Sequence, residues 1–195
     1  MKSITGGPAA FLDRDGVINI DSGHVHRVRD FHFFPEVLNA CRNLYIAGYK
    51  LIVVTNQAGI AHGYYDEQAF QEISNWMKER FTEAGAPLAA IYHCPHHPLG
   101  KVERLARECN CRKPAPGMIT RAVLEHKIDV STSFLVGDKE SDMEAAARAG
   151  LPAKYLVRTG DGAADRGGNS GEFLSLSDVV RRILGENYRE GYALK

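Results

Sequence analysis

Residues 9–16, Ala-Ala-Phe-Leu-Asp-Arg-Asp-Gly, decide the fold of this chain. The four apolar residues are typical of a short buried strand in a parallel sheet, and two aspartates and a glycine follow that strand directly. The run 50–57, Lys-Leu-Ile-Val-Val-Thr-Asn-Gln, repeats this arrangement with a hydroxyl and two amides at its end. In the run 133–138, Ser-Phe-Leu-Val-Gly-Asp, an aspartate again follows an apolar segment. Three strands that end in polar side chains predict one polar edge of a sheet.

Two further strands are predicted, and segments with helical periodicity lie between the strands. Apolar runs at 90–92 and 154–157 bring the predicted strands to five. Apolar residues also recur at helical spacing, and Asp66 is the expected N-cap of the second helix. The predicted helices cover 37–45, 70–81, 118–126, 143–149 and 176–184. Strands that alternate with helices predict an α/β fold with a doubly wound, mostly parallel, Rossmann-like sheet and helices on both faces.

The composition fits one globular domain without a nucleic-acid partner. The chain has 195 residues, of which 44% are hydrophobic and 25% charged, so we expect a single domain over 1–195. The net charge of +0 disfavours binding to nucleic acid. No apolar run approaches the ~20 residues that span a bilayer, which predicts a cytoplasmic protein without a membrane partner. We also expect a monomer, and a glycine-rich surface loop at 160–171.

The two aspartates after the first strand suit phosphoryl transfer. Asp13 is the candidate nucleophile, because a carboxylate can attack phosphorus and form an aspartyl-phosphate. Asp15, two residues further on, is the candidate general acid for the leaving oxygen and general base for the hydrolytic water. Two aspartates can also simply cap a turn. The polar groups at the other strand ends favour the catalytic interpretation.

Phosphoryl transfer needs positive charge beside the carboxylates and the phosphate. Oxygen ligands suit Mg²⁺, and Asp138 after the fourth strand is the candidate that completes a magnesium site, with Asp142 as its support. Lys113 is predicted to offset charge on the transferred phosphoryl group. Thr55 and Asn56 are predicted to add hydrogen bonds.

A cluster of three cysteines and a histidine predicts a second metal. The candidate ligands are Cys94, His96, Cys109 and Cys111. Three thiolates and one imidazole are the closed tetrahedral set that structural zinc prefers, and His97 is a competing ligand beside the first histidine. The alternative is that the cysteines are small buried apolar residues. We expect a zinc-binding loop insertion at about 94–111, which fixes the backbone that aims Arg112 and Lys113.

Four ordered motifs resemble the haloacid dehalogenase superfamily. They are Phe-Leu-Asp-Arg-Asp-Gly at 11–16, Val-Val-Thr-Asn-Gln at 53–57, Cys-Arg-Lys-Pro at 111–114 and Val-Gly-Asp-Lys-Glu-Ser-Asp at 136–142. From about residue 9 to 185 the chain is most similar to the heptose bisphosphate phosphatases of that superfamily. Histidinol-phosphate phosphatases share the motifs and are the alternative within it. A zinc-binding module without catalysis is the alternative outside it.

The resemblance implies a magnesium-dependent phosphatase that acts on a small sugar phosphate. It implies Asp13 as the nucleophile and Asp15 as the general acid and base. It also implies that Asp13, the backbone carbonyl of Asp15, and Asp138 hold magnesium. Thr55 and Lys113 are expected to take part in catalysis.

The resemblance further identifies a zinc ligand and the residues that contact the substrate. It favours His96 over His97, because similar phosphatases carry the same Cys-x-His and Cys-x-Cys arrangement as a zinc-bound loop. One departure is Val17, where many relatives have a threonine whose hydroxyl has no catalytic role. The implied substrate contacts are Asp21, Ser22, Gly23, His24, Thr55, Asn56, Gln57, Ala58, Arg112, Lys113 and Lys139.

Overall fold

Six strands form one parallel sheet in the computed structural model, which describes residues 6–159 and 172–190. The strands are β1 (Ala9–Leu12), β2 (Lys50–Asn56), β3 (Leu88–Cys94), β4 (Phe134–Gly137), β5 (Ala153–Val157) and β6 (Glu172–Phe173). Their order is β3-β2-β1-β4-β5-β6, and every neighbouring pair is parallel. Because the order reverses between β1 and β4, a crevice opens outside the carboxyl ends of these two strands.

The helices cover both faces of this sheet. They are α1 (Val37–Ile46), α2 (Ala58–Ala61), α3 (Glu67–Glu83), α4 (Gly117–His126), α5 (Glu140–Arg148) and α6 (Leu176–Leu184). Side chains alternate between the two faces of a strand, and β1 shows this division. Ala10 and Leu12 pack into a core with α1, α3 and α6, whereas Ala9 and Phe11 pack into a core with α4 and α5. The predicted doubly wound fold is therefore confirmed.

The predicted elements are present, some of them with shifted ends. Helix α3 begins after Asp66 as expected, because the carboxylate of this residue accepts a hydrogen bond from a backbone amide of the first turn at 2.8 Å. Helix α5 begins three residues before its predicted start, because Asp142 caps the first turn by accepting from the Lys139 amide at 3.1 Å. The sequence does not predict β6 and α2, since two and four residues are too few for a periodic pattern.

Two further expectations concern the glycine-rich segment and the membrane. The glycine-rich segment 160–171, which the sequence predicts as a surface loop, lies outside the described residues. Within 6–159 and 172–190, every helix is too short or too polar to cross a lipid bilayer.

The hydroxyl of Ser133 ties the start of β1 to the turn before β4, and its removal should destabilise the fold. The hydroxyl accepts from the Ala9 amide at 2.9 Å and donates to the Asp129 carbonyl at 2.6 Å. Ser133→Ala leaves this buried amide without an acceptor, so we expect a loss of about 1–3 kcal/mol in the free energy of unfolding. Urea unfolding followed by circular dichroism measures it.

Ser131→Ala is the matched control. Its hydroxyl also bonds to Asp129, at 2.6 Å, but Ser131 is exposed, so the loss should stay within about 0.5 kcal/mol. Equal losses in the two variants would contradict the proposed contribution of the buried hydroxyl.

Candidate active site

A cavity of about 570 Å³ opens at the reversal point of the sheet. The loop after β1 continues the sheet by one hydrogen bond, because the Asp13 amide donates to the Val136 carbonyl at 3.0 Å. The buried or half-buried predicted residues that line the cavity are Asp13, Asp15, Thr55, Asn56, Gln57, Ala58, Arg112, Lys113 and Asp142. The exposed ones are Asp21, Gly23, His24 and Lys139. Ser22 is exposed and is not among the lining residues.

Lys113 joins three elements at the floor of this cavity. Its ammonium lies 2.9 Å from an oxygen of Asp13 and 2.6 Å from an oxygen of Asp142, and it donates to the Val54 carbonyl at 2.8 Å. Although burial lowers the pKa of Lys113, the charges of the two carboxylates outweigh it and raise the pKa above its usual range. The ammonium is therefore charged at neutral pH.

The backbone amide and carbonyl of Lys113 are also fixed by hydrogen bonds. Asn56, at the end of β2, accepts from the Lys113 amide at 3.0 Å and donates to the Lys113 carbonyl at 3.0 Å. The Asn56 amide group is thus paired with the protein backbone. This pair connects the end of β2 to the segment that follows the cysteine cluster.

Three carboxylates converge beside Lys113, with oxygens within 4.8 Å of one another. They belong to Asp13, Asp138 and Asp142. Burial, followed by the charge of Asp13, raises the pKa of Asp138 to about 7, and burial also raises the pKa of Asp13. One oxygen of Asp138 is buried without a hydrogen-bond partner. Several carboxylates with one lysine and an unpartnered oxygen fit a hard divalent cation such as Mg²⁺, which supplies the missing positive charge.

Gly16 leaves the space that Asp138 occupies. Its backbone has φ of 85°, a left-handed conformation that glycine adopts without steric cost. A Cβ at this position would lie 2.4 Å from a carboxylate oxygen of Asp138. The glycine of the Asp-Arg-Asp-Gly motif is therefore required for the approach of β4 to the loop after β1.

Asp15 is held by side chains on several sides. Its carboxylate accepts from Arg14 at 2.8, 2.9 and 3.1 Å, from Asn19 at 3.0 Å and from Gln57 at 3.1 Å. The side chain of Arg14 is itself buried, with 1% exposed. These donors fix the orientation of the predicted general acid.

The rim of the cavity carries charged and aromatic side chains. Lys139 lies 3.4 Å from Asp21 and 3.5 Å from Asp138, so it connects the two sides of the opening. The sequence analysis misses three lining residues, namely Tyr65, Pro114 and Ser141. Pro114 and Ser141 stand inside the motifs at 111–114 and 136–142 without a predicted role, whereas Tyr65 belongs to no motif and follows the short helix α2.

The three cysteines and the histidine of the predicted zinc site lie close together in the structure. The sulfurs are 3.1, 3.4 and 3.5 Å apart, and Nδ1 of His96 lies 3.3 Å from Cys111 and 3.7 Å from Cys94. These sulfur distances are within about 0.7 Å of the roughly 3.8 Å expected between two sulfurs in a tetrahedron with Zn–S bonds of about 2.3 Å. The cysteines are free thiols, and the set fits one zinc ion.

His97 lies outside this set. Its Nδ1 accepts from the Leu99 amide at 3.1 Å, and its ring lies 4.7 Å from that of His62.

The carbonyl of His96 accepts from the Arg112 guanidinium at 3.3 Å. The cluster therefore contacts a residue that lines the cavity.

The chain matches a known class of hydrolases. Residues 110–174 match the HAD-hydrolase-like family. The parallel sheet, its switch point between β1 and β4, and the carboxylates at that point agree with this match. Together they define a phosphatase of the haloacid dehalogenase type.

Relatives identify the family within this class. The chain is 44% identical over 178 residues to the D-glycero-beta-D-manno-heptose-1,7-bisphosphate 7-phosphatase of Yersinia pestis, covering 90% of this chain and 95% of that protein. It is 46% identical over 151 residues to the corresponding alpha enzyme of Photorhabdus laumondii subsp. laumondii, covering 77% and 82%. The structure of D,D-heptose 1,7-bisphosphate phosphatase from B. bronchiseptica, complexed with magnesium and phosphate, matches with a TM-score of 0.78 and 33% identity, covering 92% and 99%. The chain belongs to the heptose-1,7-bisphosphate 7-phosphatase family.

Gly16→Ala should weaken the binding of a divalent cation by these carboxylates. The added Cβ meets Asp138, and the left-handed backbone costs about 1–2 kcal/mol for a residue with a side chain. We expect a higher Mg²⁺ concentration for half-maximal phosphate release and a lower maximal rate. Titration of Mg²⁺ in a phosphate-release assay measures both.

Gly48→Ala controls for the backbone strain alone. Gly48 has φ of 92°, and a Cβ there meets no atom within 4 Å. This variant should lose a similar amount of stability while its Mg²⁺ dependence stays that of the parent. A parental Mg²⁺ dependence in Gly16→Ala would mean that Asp138 does not hold the cation.

Proposed function

We propose that this protein hydrolyses the 7-phosphate of D-glycero-D-manno-heptose 1,7-bisphosphate. The observation that carries the proposal is the buried pair of Asp13 and Lys113, 2.9 Å apart at the reversal point of the sheet. A carboxylate beside a cation that can attract phosphoryl oxygens suits nucleophilic attack on phosphorus. The names of the relatives support a heptose bisphosphate as the substrate.

In the first step, an oxygen of Asp13 bonds to phosphorus while the bond between phosphorus and the sugar oxygen breaks. Asp15 gives its proton to that leaving oxygen, so the products are heptose 1-phosphate and an aspartyl-phosphate. The Lys113 ammonium and the polar groups of Thr55 and Asn56 offset charge on the phosphoryl oxygens.

In the second step, a water molecule attacks phosphorus and the bond between phosphorus and Asp13 breaks. Asp15, now ionised, takes a proton from that water, which restores its acid form. Inorganic phosphate leaves, and the carboxylate of Asp13 is regenerated. The two steps together consume one water molecule and need no other reactant.

We propose that Asp13, the backbone carbonyl of Asp15, and Asp138 hold Mg²⁺. When bound, the ion supplies positive charge to the nucleophile and the phosphate. The unpartnered oxygen of Asp138 supports its place in this ligand set, and the magnesium complex of the B. bronchiseptica relative supports the identity of the ion. Asp142 then orients Lys113 rather than the cation.

The rest of the substrate is proposed to contact the rim. The proposed contacts are Asp21, Ser22, Gly23, His24, Ala58, Arg112 and Lys139. The side chain of Gln57, which the resemblance also implies as a contact, makes its hydrogen bonds to protein groups instead. Arg112 follows the cysteine cluster and donates to the His96 carbonyl, so zinc is proposed to hold the backbone that aims this guanidinium. We further propose a monomer of one domain that acts in the cytoplasm on the route to ADP-heptose for lipopolysaccharide core or to GDP-heptose.

Asp13→Asn tests the reaction and the substrate together. We expect the wild-type protein with Mg²⁺ to release the 7-phosphate of heptose 1,7-bisphosphate, and the nearly isosteric variant to release none, because an amide does not attack phosphorus. Phosphorus NMR of the product identifies which phosphate is lost. Asp30→Asn, on an exposed carboxylate, should behave as wild type.

Both anomers of the bisphosphate and histidinol phosphate belong in the same assay. A higher kcat/KM for histidinol phosphate would assign the protein to the alternative activity. Retention of the 7-phosphate, or turnover by Asp13→Asn, would refute the proposed reaction.

Cys109→Ser separates the roles of the two metals. The variant should lose zinc from about one ion per chain and loosen the segment before Arg112, while Asp13 and the magnesium ligands stay in place. We expect kcat/KM to fall more for the heptose bisphosphate than for an aryl phosphate, which has no distal groups to recognise. Elemental analysis and steady-state kinetics measure these quantities.

Cys41→Ser is the control, because Cys41 is also a free thiol but lies buried in α1, away from the cluster, whereas Cys109 is half-buried. It should keep its zinc and the wild-type ratio of the two kcat/KM values. An unchanged ratio in Cys109→Ser would mean that the cluster does not support substrate recognition.

A further inference from the structure

Gln57 has its side-chain hydrogen bonds directed at protein groups. Its amide nitrogen donates to Asp15 at 3.1 Å and to the Thr55 hydroxyl at 2.8 Å, and its amide oxygen accepts from the Tyr65 hydroxyl at 2.5 Å. The residue is buried, with 2% exposed. Because an amide nitrogen has only two hydrogens, no donor of this group is left for a substrate.

Tyr65 fixes which end of the Gln57 amide faces Asp15. Burial raises the pKa of the Tyr65 phenol to about 12, so it keeps its proton at neutral pH and donates it to the amide oxygen. The Asp15 oxygen that faces Gln57 accepts from the amide nitrogen, so the nitrogen lies on the Asp15 side. A phenol on one side and a carboxylate on the other therefore specify one orientation of the amide.

The Tyr65 ring is itself immobilised. A Cβ on Gly59 would lie 2.2 Å from the ring, so the absence of a side chain there allows the tyrosine to pack against α2. On another side, the His26 ring stacks on it with a centroid distance of 4.7 Å and an angle of 3°. The hydroxyl that orients Gln57 thus belongs to a ring with fixed neighbours.

Arg14 holds the carboxylate of Asp15 from a different direction. Its guanidinium donates to the Val25 carbonyl at 2.7 Å and lies 6.0 and 5.9 Å from the rings of Phe31 and Phe70. The carboxylate of Asp15 consequently lies between two sets of donors, the buried guanidinium of Arg14 and the amide of Gln57. Loss of the Gln57 bond removes the constraint on one side of the carboxylate, while Arg14 and Asn19 still hold the other.

We propose that Tyr65 and Gln57 are positioning residues that hold the Asp15 carboxylate in line with the leaving oxygen of the substrate. This inference rests on the proposed function, in which Asp15 protonates that oxygen. Tyr65 acts through Gln57, and neither residue exchanges a proton with the substrate. The two residues are expected to affect the rate most for substrates whose leaving group departs poorly without a proton.

Tyr65→Phe tests this role, because it removes the hydroxyl and keeps the ring. A poor leaving group, such as the sugar alkoxide, needs the proton of Asp15, whereas the anion of 4-nitrophenol departs without it. We expect kcat/KM to fall about tenfold for the heptose bisphosphate and less than twofold for 4-nitrophenyl phosphate. A series of aryl phosphates with leaving-group pKa from about 5 to 10 should show a graded loss.

Two further variants strengthen the comparison. Tyr64→Phe removes the hydroxyl of the neighbouring exposed tyrosine and should leave kcat/KM unchanged for every substrate. Gln57→Met removes the amide at similar volume and should reproduce the graded loss, with KM for the bisphosphate little changed. A raised KM with no dependence on the leaving group would assign Gln57 to substrate binding and overturn the inference.

Asp15→Asn separates failure of the inference from failure of the proposed function. It should show the same dependence on the leaving group with larger losses, within the ~10²–10⁴-fold range of acid catalysis, and addition of Tyr65→Phe should cause no further selective loss. If Asp15→Asn loses activity equally for all leaving groups, the acid role is wrong and the inference falls with it. If Asp15→Asn is selective and both Tyr65→Phe and Gln57→Met are not, only the inference is overturned.

Discussion

The buried ammonium of Lys113 is the constraint on which the site depends. A charge at this depth is tolerated only with close partners, and it finds them in Asp13 after β1 and Asp142 in α5, with the Val54 carbonyl of β2 as a third. These partners come from elements far apart in the sequence. The ion pairs therefore hold the ends of the central strands in one arrangement, which is also the arrangement that phosphoryl transfer requires.

This constraint explains why the cysteine cluster lies next to the proposed catalytic residues. Cys111 and Lys113 are two residues apart, so the segment between them cannot shift without moving either the cluster or the ammonium. The reciprocal hydrogen bonds between Asn56 and the backbone of Lys113 fix the segment from the side of β2. The cysteine cluster thus contributes to the floor of the cavity through the backbone and to its rim through Arg112.

The sequence predicts those parts of the molecule that local patterns determine. Apolar runs with polar ends give β1, β2 and β4, and hence the edge at which Asp13, Asn56 and Asp138 meet, because parallel strands share one carboxyl edge. Contacts that depend on the folded chain are beyond such patterns. Spacing alone does not separate His96 from His97, whereas the backbone turns only the first toward the thiols. No motif marks Tyr65, because its role comes from its contact with Gln57.

The division of the cavity between strand ends and loops has a consequence for evolution. The proposed reacting groups sit on residues anchored in the core, whereas rim residues such as His24 and Lys139 are exposed. Substitutions at the rim have a small effect on stability, so selection can change the preferred substrate while the reaction stays the same. The relatives from Yersinia pestis and Photorhabdus laumondii subsp. laumondii carry names that differ in the anomer of the bisphosphate, although both are named as 7-phosphatases.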